Sequence, residues 1–447
     1  MVAEFGRRHA AALGTYFDPD GKAMETVRQR GLFAAEPERL PVPPPVAPVE
    51  LAHRIGAAHA AFRAALAEIF AHRMGGSWQK LAEDLRLGET TRRYVDVRRP
   101  PLWARFGRPD IVVHGDHVTM VEPNVGTSCG ALADADILGR LFEDAPLVGD
   151  LLRGMGARRR DVLGAVAEAV GAALREHGQA PDALVAVTEF AADLADAGPH
   201  YEALAAELRG HGLRAEVAAV EDLECGPAGV RLAGVPCGAI YRLCGEEPDP
   251  VGHLPFLRAL FASARAGRVA VVDALDDQIA GHKTILAVVS EELDAGRVAA
   301  EQAAVLDGFV PWTRIFEDGP ATFRGERVDL VPWTLAHQQD LVLKPGAGYQ
   351  GRGVTLGCET APEQWQALIG EALGADEAWM VQSLARSAAT DVSVSRAGGL
   401  FTEETFVEYG YYAVAGAAPA AAIRRSAPIG RRTRKIKQST ISPLFFV

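Results

Sequence analysis

Four glycines fall within eight residues at 346–353, in a run that reads KPGAGYQGRG from Lys344. The flanking segments, DLVLKP at 340–345 and GVTLG at 353–357, are rich in aliphatic and β-branched residues and predict two strands. Glycines let a backbone approach a ligand closely and turn its N–H groups toward it, and a neighbouring lysine makes polyphosphate the natural ligand. The run therefore predicts a strand–loop–strand unit whose phosphate-binding residues are Lys344, Gly346, Gly348, Gly351 and Gly353.

The same glycines allow other interpretations. Gly346, Gly348 and Gly351 spell GxGxxG, but a dinucleotide site of an NAD-dependent enzyme needs a helix directly after the loop. A P-loop is excluded because no Gly-Lys-Ser/Thr ends the run. An ordinary glycine hairpin without a ligand is the remaining alternative.

Polar residues also stand at the ends of two short predicted strands, DIVVHG at 110–115 and HVTMVEPN at 117–124. The Gly-Asp between them predicts a tight hairpin, which brings its two ends to one edge of the sheet. Asp110, Glu122 and Asn124 then form an oxygen set suited to Mg²⁺. The alternative is a group of turn-flanking polar residues, with Arg108 as a surface ion-pair partner.

Lysine is scarce in this chain, with six residues in all, so a retained lysine suggests that an ammonium group is needed. Lys283 begins the predicted helix HKTILAVVSEELDAG, although a cation at a helix start opposes the helix dipole. It is a candidate phosphate ligand, and a solvated surface lysine is the alternative.

The rest of the chain alternates between helix and strand patterns. The segments 183–190, 201–212 and 214–221 predict strand, helix and strand, hence a parallel sheet. A proline-rich connector precedes helical periodicity over 49–86 that is interrupted at Gly75-Gly76, and the final LFFV predicts a core strand. The predicted fold class is α/β (α+β). The predicted boundaries divide the chain into an N-terminal helical region at 1–100, a metal-ligand part at 101–180, an inserted α/β domain at 181–267, a nucleotide-binding part at 268–425 and a basic tail at 426–447.

Composition excludes several classes of protein. The formal net charge of −12 argues against broad nucleic-acid binding, and no apolar run is long enough to span a membrane. Five cysteines without a CxxC pair, and an N-terminus without a signal-like apolar run, favour a reducing cytoplasm.

Taken in order, the R-x-D…E-x-N pair at 108–124, the HKTIL segment at 282–286 and the glycine run from Lys344 resemble the circularly permuted ATP-grasp superfamily, in particular the synthetase domain of glutathionylspermidine synthase. In that arrangement the metal ligands precede the nucleotide lysines, as they do here. Tyr349 and Gln350 replace the family's Arg-Glu in the loop, and no amidase domain is present. The resemblance covers roughly residues 100–425 and implies an ATP-grasp fold with an inserted Rossmann-like pre-ATP-grasp domain.

The resemblance also implies a function. Such enzymes use ATP and Mg²⁺ to join small-molecule carboxylate and amine substrates, such as amino acids or small peptides, through an acyl phosphate. It assigns Asp110, Glu122 and Asn124 to Mg²⁺, Lys283 and Lys344 to the α- and β-phosphates, and Gln382 to the adenine-side strand, where the family usually has Glu. Arg108 is expected to bind the acceptor carboxylate or the transferring phosphate, and Arg424 or Arg425 to stabilise the transferred phosphoryl group.

Three further residues are candidate substrate contacts. Thr127 and Ser128 closely follow Asn124, after Val125 and Gly126, and Arg242 ends a strand of the α/β unit, a common place for such contacts. A helix cap and a structural ion pair are the respective alternatives. Two other functions stay open for the whole chain: a glutathionylspermidine-type synthetase, and a nucleotide-binding partner protein with reduced catalysis.

Overall fold

The computed structural model describes residues 25, 29, 40–88, 92, 106–126, 132–226, 228–244, 254–272, 279, 281–348, 351–387, 389–396, 399–414, 421–428 and 440–447. Helices and strands are mixed in these residues, as the α/β class predicts. The domain boundaries proposed from the sequence stay predictions.

The helices in the described residues are α1 (Val49–His72), α2 (Trp78–Asp84), α3 (Leu132–Asp144), α4 (Pro146–Gly154), α5 (Val162–Glu176), α6 (Ala191–Gly210), α7 (Leu254–Arg265), α8 (Ile285–Asp294), α9 (Ala300–Leu306), α10 (Leu330–Ala336) and α11 (Pro362–Gly374). The predicted break at Gly75-Gly76 separates α1 from α2, and both glycines have positive φ. Among these helices, none is both long and apolar enough to cross a membrane.

The strands are β1 (Leu40–Pro41), β2 (Val46–Ala47), β3 (Phe106–Gly107), β4 (Asp110–His114), β5 (His117–Glu122), β6 (Leu184–Glu189), β7 (Ala215–Ala219), β8 (Leu223–Gly226), β9 (Gly229–Leu232), β10 (Val235–Arg242), β11 (Ala270–Val272), β12 (Thr313–Ile315), β13 (Pro320–Phe323), β14 (Glu326–Asp329), β15 (Leu341–Pro345), β16 (Thr355–Leu356), β17 (Trp379–Ser383), β18 (Thr390–Arg396), β19 (Gly399–Val414), β20 (Ala421–Pro428), β21 (Thr440–Pro443) and β22 (Phe445–Phe446).

An eight-stranded sheet is built around β19. This strand has 16 residues, enough to pair with β18 over its first half and with β4 and β3 over its second, while β20 pairs along its other edge. β4 and β5 form the predicted hairpin at the end of this sheet. Helix α1 packs on the face that includes Ile111 and Tyr411.

A six-stranded sheet contains the predicted α/β unit. Strands β7, β6, β10 and β11 run parallel to one another, so the prediction of a parallel sheet is confirmed. Helix α6 begins at Ala191, ten residues before the predicted start at 201, because two helical segments meet at a kink. Ala197 is non-helical there, two residues before Pro199, which the interior of one regular helix would not tolerate.

A four-stranded antiparallel sheet in the order β12–β17–β15–β16 contains the two strands predicted around the glycine run. Helix α11 covers one face, where Trp365 and Ile369 pack on Leu341 and Leu343. Side chains alternate between the faces of a strand. The opposite face therefore carries Lys344 and Gln382, and it is turned toward the β4–β5 hairpin.

The C-terminal residues join separate parts of the chain. β22 pairs in parallel with β2, and Phe446 exchanges backbone hydrogen bonds of 2.8 Å with Arg158. Phe445 and Phe446 belong to two different hydrophobic clusters. The predicted final core strand is thus confirmed, and residues 429–439 of the basic tail lie outside the described residues.

We expect Phe445→Ala to lower the free energy of unfolding by about 3–5 kcal/mol, because a fully buried aromatic ring is removed from the core. Phe401→Ala, a matched change at a ring that is 46% exposed, should cost much less. Urea denaturation of both variants measures the difference. Equal losses would contradict the view that the C-terminal strand stabilises the fold.

Candidate functional site

The β4–β5 hairpin places two carboxylates opposite each other. Asp110 and Glu122 are register partners, with a bulge between Asp110 and Ile111. Asp110 is buried, and Arg108 Nε donates to its Oδ1 at 3.2 Å. Arg108 is buried as well, so the alternative of a surface ion pair is wrong.

Gly410 makes room for the Arg108 side chain. It is the register partner of Asp110 on β19, and a Cβ at this position would lie 2.7 Å from Arg108 Cδ. Any larger residue would push the guanidinium away from Asp110. Gly410 therefore helps to keep the Arg108 side chain beside the carboxylate of Asp110.

Both predicted lysines reach this hairpin from distant parts of the chain. Lys283 Nζ lies 2.9 Å from Glu122 Oε1, and Lys344 Nζ donates to the carbonyl O of Val121 at 2.8 Å. Lys283 is 6% exposed and Lys344 is 5% exposed, so the alternative of a solvated surface lysine at 283 is wrong. Lys283 Nζ also donates to the carbonyl of Gly348 in the glycine run, which ties hairpin, lysine and loop together.

Lys344 is held by a chain of oriented hydrogen bonds. Its Nζ donates to Gln382 Oε1 at 2.9 Å, and Gln382 Nε2 donates to Thr313 Oγ1 at 3.1 Å. The Thr313 hydroxyl in turn donates to Pro311 O at 2.8 Å, so it can only accept from Gln382. This chain turns the amide oxygen toward the lysine, and no acceptor in the described residues takes the third N–H of Lys344.

Burial lowers the pKa of Lys344 to about 8, against the opposing effect of the carboxylates of Glu122, Glu408 and Asp110. Glu408 lies on β19 and was not predicted from the sequence. Its segment reads as an ordinary strand, and only the pairing of distant strands brings it near the lysine. The site thus combines two buried ammonium groups with several carboxylates, and it can bind a polyanion together with a cation.

The glycines of the loop serve two different purposes. Gly348, Gly351 and Gly353 have φ of 109°, 70° and 74°, which strongly favour glycine. Gly346 lacks such a φ, but a Cβ there would lie less than 3.0 Å from His282 Cε1. After the loop comes β16, followed by one 3-10 turn at Gly357–Glu359, and the next α-helix begins only at Pro362, so the NAD-type interpretation is wrong.

A metal ion would find suitable ligands at the hairpin end. Asn124 Nδ2 is buried and has no hydrogen-bond partner in the described residues. The oxygen and nitrogen of an amide can exchange places by rotation, so this side chain has an unused ligand atom, two residues after Glu122. Two carboxylates and one amide oxygen are hard ligands that fit Mg²⁺.

A second group of possible metal ligands is structural. Asp136, Asp161 and His211 have ligand atoms within 4.8 Å of one another. However, Asp136 is paired with Arg159 at 2.6 Å, and Asp161 caps helix α5 through Gly164 N at 2.7 Å. Arg159 and the N-terminus of α5 therefore account for the positions of Asp136 and Asp161 without a metal ion.

The register of β20 distinguishes the two late arginines. Arg424 is paired with Tyr409, whose other register partner is Ile111 of the hydrophobic core. Arg425 is paired with Glu408, which stands two residues before Gly410, the partner of Asp110. Residue 425 is therefore in register with a carboxylate-bearing residue of β19, and residue 424 with an aromatic one.

The predicted substrate contacts are only partly described. Arg242 is fully buried at the carboxyl end of β10, where it donates to the carbonyl of Cys244. Glu189 ends the neighbouring β6, and burial raises the pKa of its carboxyl group to about 7. Thr127 and Ser128 lie outside the described residues.

No protein-family model matches the chain, and no curated protein matches it. Among solved structures, the chain is similar to a glutathione synthetase-like effector from Globodera pallida, solved in its apo form, at 12% identity over 92% of this chain and 90% of that chain, with a TM-score of 0.59. The two proteins share a fold. At this identity the likeness concerns the fold alone.

A candidate γ-glutamylcysteine synthetase from Methylobacillus flagellatus KT also matches, at 12% identity over 91% of this chain and 89% of that chain. Its TM-score of 0.45 is too low to support an argument.

Lys344 should make the free energy of unfolding depend on pH in the alkaline range. Its folded-state pKa of about 8 lies below the ordinary value of 10.5, so the unfolded chain binds more protons between these limits. The stability of the wild type relative to Lys344→Met should therefore rise with pH in that range, by up to about 3 kcal/mol, since one pKa unit corresponds to about 1.4 kcal/mol.

Urea denaturation at several pH values from 7 to 10.5 measures this difference. Lys80→Met, which removes an exposed lysine of α2, is the matched control for the loss of one ammonium group. A flat difference for Lys344→Met would show that the ammonium group is not destabilised by burial.

Proposed function

We propose that the chain is an ATP-dependent carboxylate–amine ligase of the circularly permuted ATP-grasp type, which forms an amide or peptide bond through an acyl phosphate. One observation carries this proposal. Two buried lysines from separate segments meet the carboxylate hairpin, at 2.9 Å for Lys283 and Glu122 and at 2.8 Å for Lys344 and Val121 O. The glycine loop begins two residues after Lys344.

This arrangement fits phosphoryl transfer. Such a reaction demands little covalent chemistry from the protein, and catalysis depends on positioning and on neutralising the charge of three phosphates. Lys344 donates its third N–H to a phosphate of the nucleotide. Lys283 leaves Glu122 and binds a phosphate instead. The backbone of the loop at 346–353 covers the phosphates and excludes water, which would otherwise hydrolyse the acyl phosphate.

Arginines serve the reacting groups. Arg108 binds the acceptor carboxylate or the transferring phosphate from its position beside Asp110. Arg425 rather than Arg424 stabilises the transferred phosphoryl group, because its register partner is Glu408 and not a core-facing residue. The substrates are contacted by Arg242 and by two residues that follow Asn124 in the chain, Thr127 and Ser128.

Asp110, Glu122 and Asn124 hold Mg²⁺. The ion would neutralise negative charge on the phosphates of the nucleotide. Asp110 and Glu122 provide the anionic oxygens, and Asn124 provides the amide oxygen. In the structure, Arg108 pairs with Asp110 and Lys283 pairs with Glu122.

The fold supports a peptide-forming reaction, because the similar protein from Globodera pallida is described as glutathione synthetase-like. We extend this to small substrates of the amino-acid or peptide class, one supplying a carboxylate and the other an amine. The carboxylate attacks the γ-phosphorus and releases ADP. The amine then attacks the acyl carbon, loses a proton and displaces phosphate.

The test is ATP-dependent phosphate release, screened against amino acids, small peptides and polyamines, with mass detection of the condensed product. Asp110→Asn and Glu122→Gln should each reduce turnover by at least about 100-fold, because each removes an anionic ligand of the metal. Asp116→Asn, at an exposed carboxylate in the turn of the same hairpin, should retain wild-type rates.

Wild-type turnover in Asp110→Asn and Glu122→Gln would overturn the metal assignment. Phosphate release without a new amide would favour a kinase-like or catalytically reduced protein. A product formed with polyamines would identify a glutathionylspermidine-type synthetase.

Gln382→Glu tests how the strand residue acts. A carboxylate at this position would neutralise Lys344, so we expect the Kd for Mg·ATP to rise about tenfold, with ATP and GTP affected alike. Gln382→Met is the companion variant that removes the hydrogen bond without adding charge, and it should cost less. A change confined to the discrimination between ATP and GTP would instead show that Gln382 reads the base.

A further inference from the structure

His282, directly before Lys283, packs against the first glycine of the loop. A Cβ at Gly346 would lie less than 3.0 Å from His282 Cε1, Ala378 O and Thr284 Cγ2. The backbone of Gly346 is also fixed, since its carbonyl accepts from Lys283 N at 3.0 Å and its N–H donates to Ala378 O at 2.7 Å. The base of the loop, the lysine and the histidine ring therefore form one packed unit.

Both ring nitrogens of His282 are held. Nδ1 lies 2.6 Å from Thr284 Oγ1, and Nε2 lies 3.0 Å from Glu377 Oε1. Burial lowers the pKa of His282, against the opposing effect of Glu377. A carboxylate can only accept, so the ring donates from Nε2 to Glu377. The one hydrogen of the Thr284 hydroxyl can go either to Nδ1 or to Leu85 O, since both lie within hydrogen-bond distance of Oγ1.

Glu377 connects this ring to the N-terminal helical part of the chain. Its Oε2 accepts from Gly88 N at 3.1 Å, and Thr284 Oγ1 lies 3.1 Å from the carbonyl O of Leu85. A Cβ at Gly88 would lie 2.7 Å from the Glu377 carboxylate, so this close approach also needs glycine. The segment after α2 is thereby attached to the base of the glycine loop.

We infer that His282 and Glu377 are positioning residues that hold Lys283 and Gly346 in the nucleotide-binding arrangement. We call the set Leu85, Gly88, His282, Thr284 and Glu377 the His282 network. The inference rests on the proposed function, because it takes Mg·ATP as the ligand. Neither His282 nor Glu377 is assigned a contact with the nucleotide.

The physical reason is the flexibility of glycine. A loop with four glycines in eight positions has many accessible conformations, and binding must restrict them at a cost in entropy. The His282 network fixes one end of the loop before the ligand arrives, which reduces that cost. Its loss should therefore weaken nucleotide binding more than it slows the saturated reaction.

The test compares matched variants of the full chain, with Kd for Mg·ATP from calorimetry, kcat and KM from phosphate release, and stability from urea denaturation. His282→Ala should raise Kd and KM about tenfold while kcat changes less than about threefold. His282→Gln, whose amide can donate to Glu377 from the position of Nε2, should restore most of the affinity.

Glu377→Gln separates the two halves of the network. An amide has one acceptor oxygen where the carboxylate has two, so it can accept from His282 or from Gly88 N but not from both. We expect Kd to rise severalfold in this variant. Asp376→Asn, the neighbouring carboxylate, should leave Kd within about twofold of the wild type.

Leu204→Ala, a core change in α6, provides a destabilised control that should keep wild-type affinity. If the wild type binds Mg·ATP and the His282→Ala and Glu377→Gln variants bind it with the same Kd, this inference is overturned. The proposed function would then stay intact. A rise in Kd for Leu204→Ala as large as that for His282→Ala would also overturn it, in favour of a general effect of stability. A wild type that does not bind Mg·ATP would overturn the proposed function and, with it, the inference.

Discussion

The burial of two lysine ammonium groups beside the β4–β5 hairpin is the interaction on which the site depends. Transferring a cation from water into a protein costs several kcal/mol unless carboxylates and hydrogen-bond acceptors compensate it. Glu122 compensates Lys283 at 2.9 Å, and Val121 O and Gln382 surround Lys344. The hairpin, the four-stranded sheet and the glycine loop must therefore keep fixed relative positions, because any displacement would leave a buried charge without its partner.

Small residues make these close approaches possible. Gly410 gives space to Arg108, Gly346 to His282 and Gly88 to Glu377. None of the three has the left-handed φ that usually explains a glycine. Each glycine lies where a charged or ionisable side chain meets the backbone of another segment, which links the packing of the fold to the electrostatics of the site.

Local patterns predicted much of this architecture. The hairpin follows from a Gly-Asp turn between two short aliphatic runs, and the strands around the glycine run follow from their β-branched residues. The neighbouring glycine run indicates a role for Lys344, and the scarcity of lysine in an arginine-rich chain adds support for Lys283. Glu408 and the His282–Glu377 contact had no such signal, since each depends on elements far apart in the sequence and on the register of their packing.

The sequence by itself determined which chemical groups are available, namely two carboxylates and an amide on a hairpin, two lysines and a glycine loop between strands. It did so because turns, strand alternation and glycine conformations are set by neighbouring residues. Only the tertiary structure decided that both lysines are buried against that hairpin, that residue 425 is in register with Glu408 and residue 424 with Tyr409, and that Gln382 faces Lys344. These facts depend on strand register and on charge compensation across the core, and both arise only when distant segments pack together.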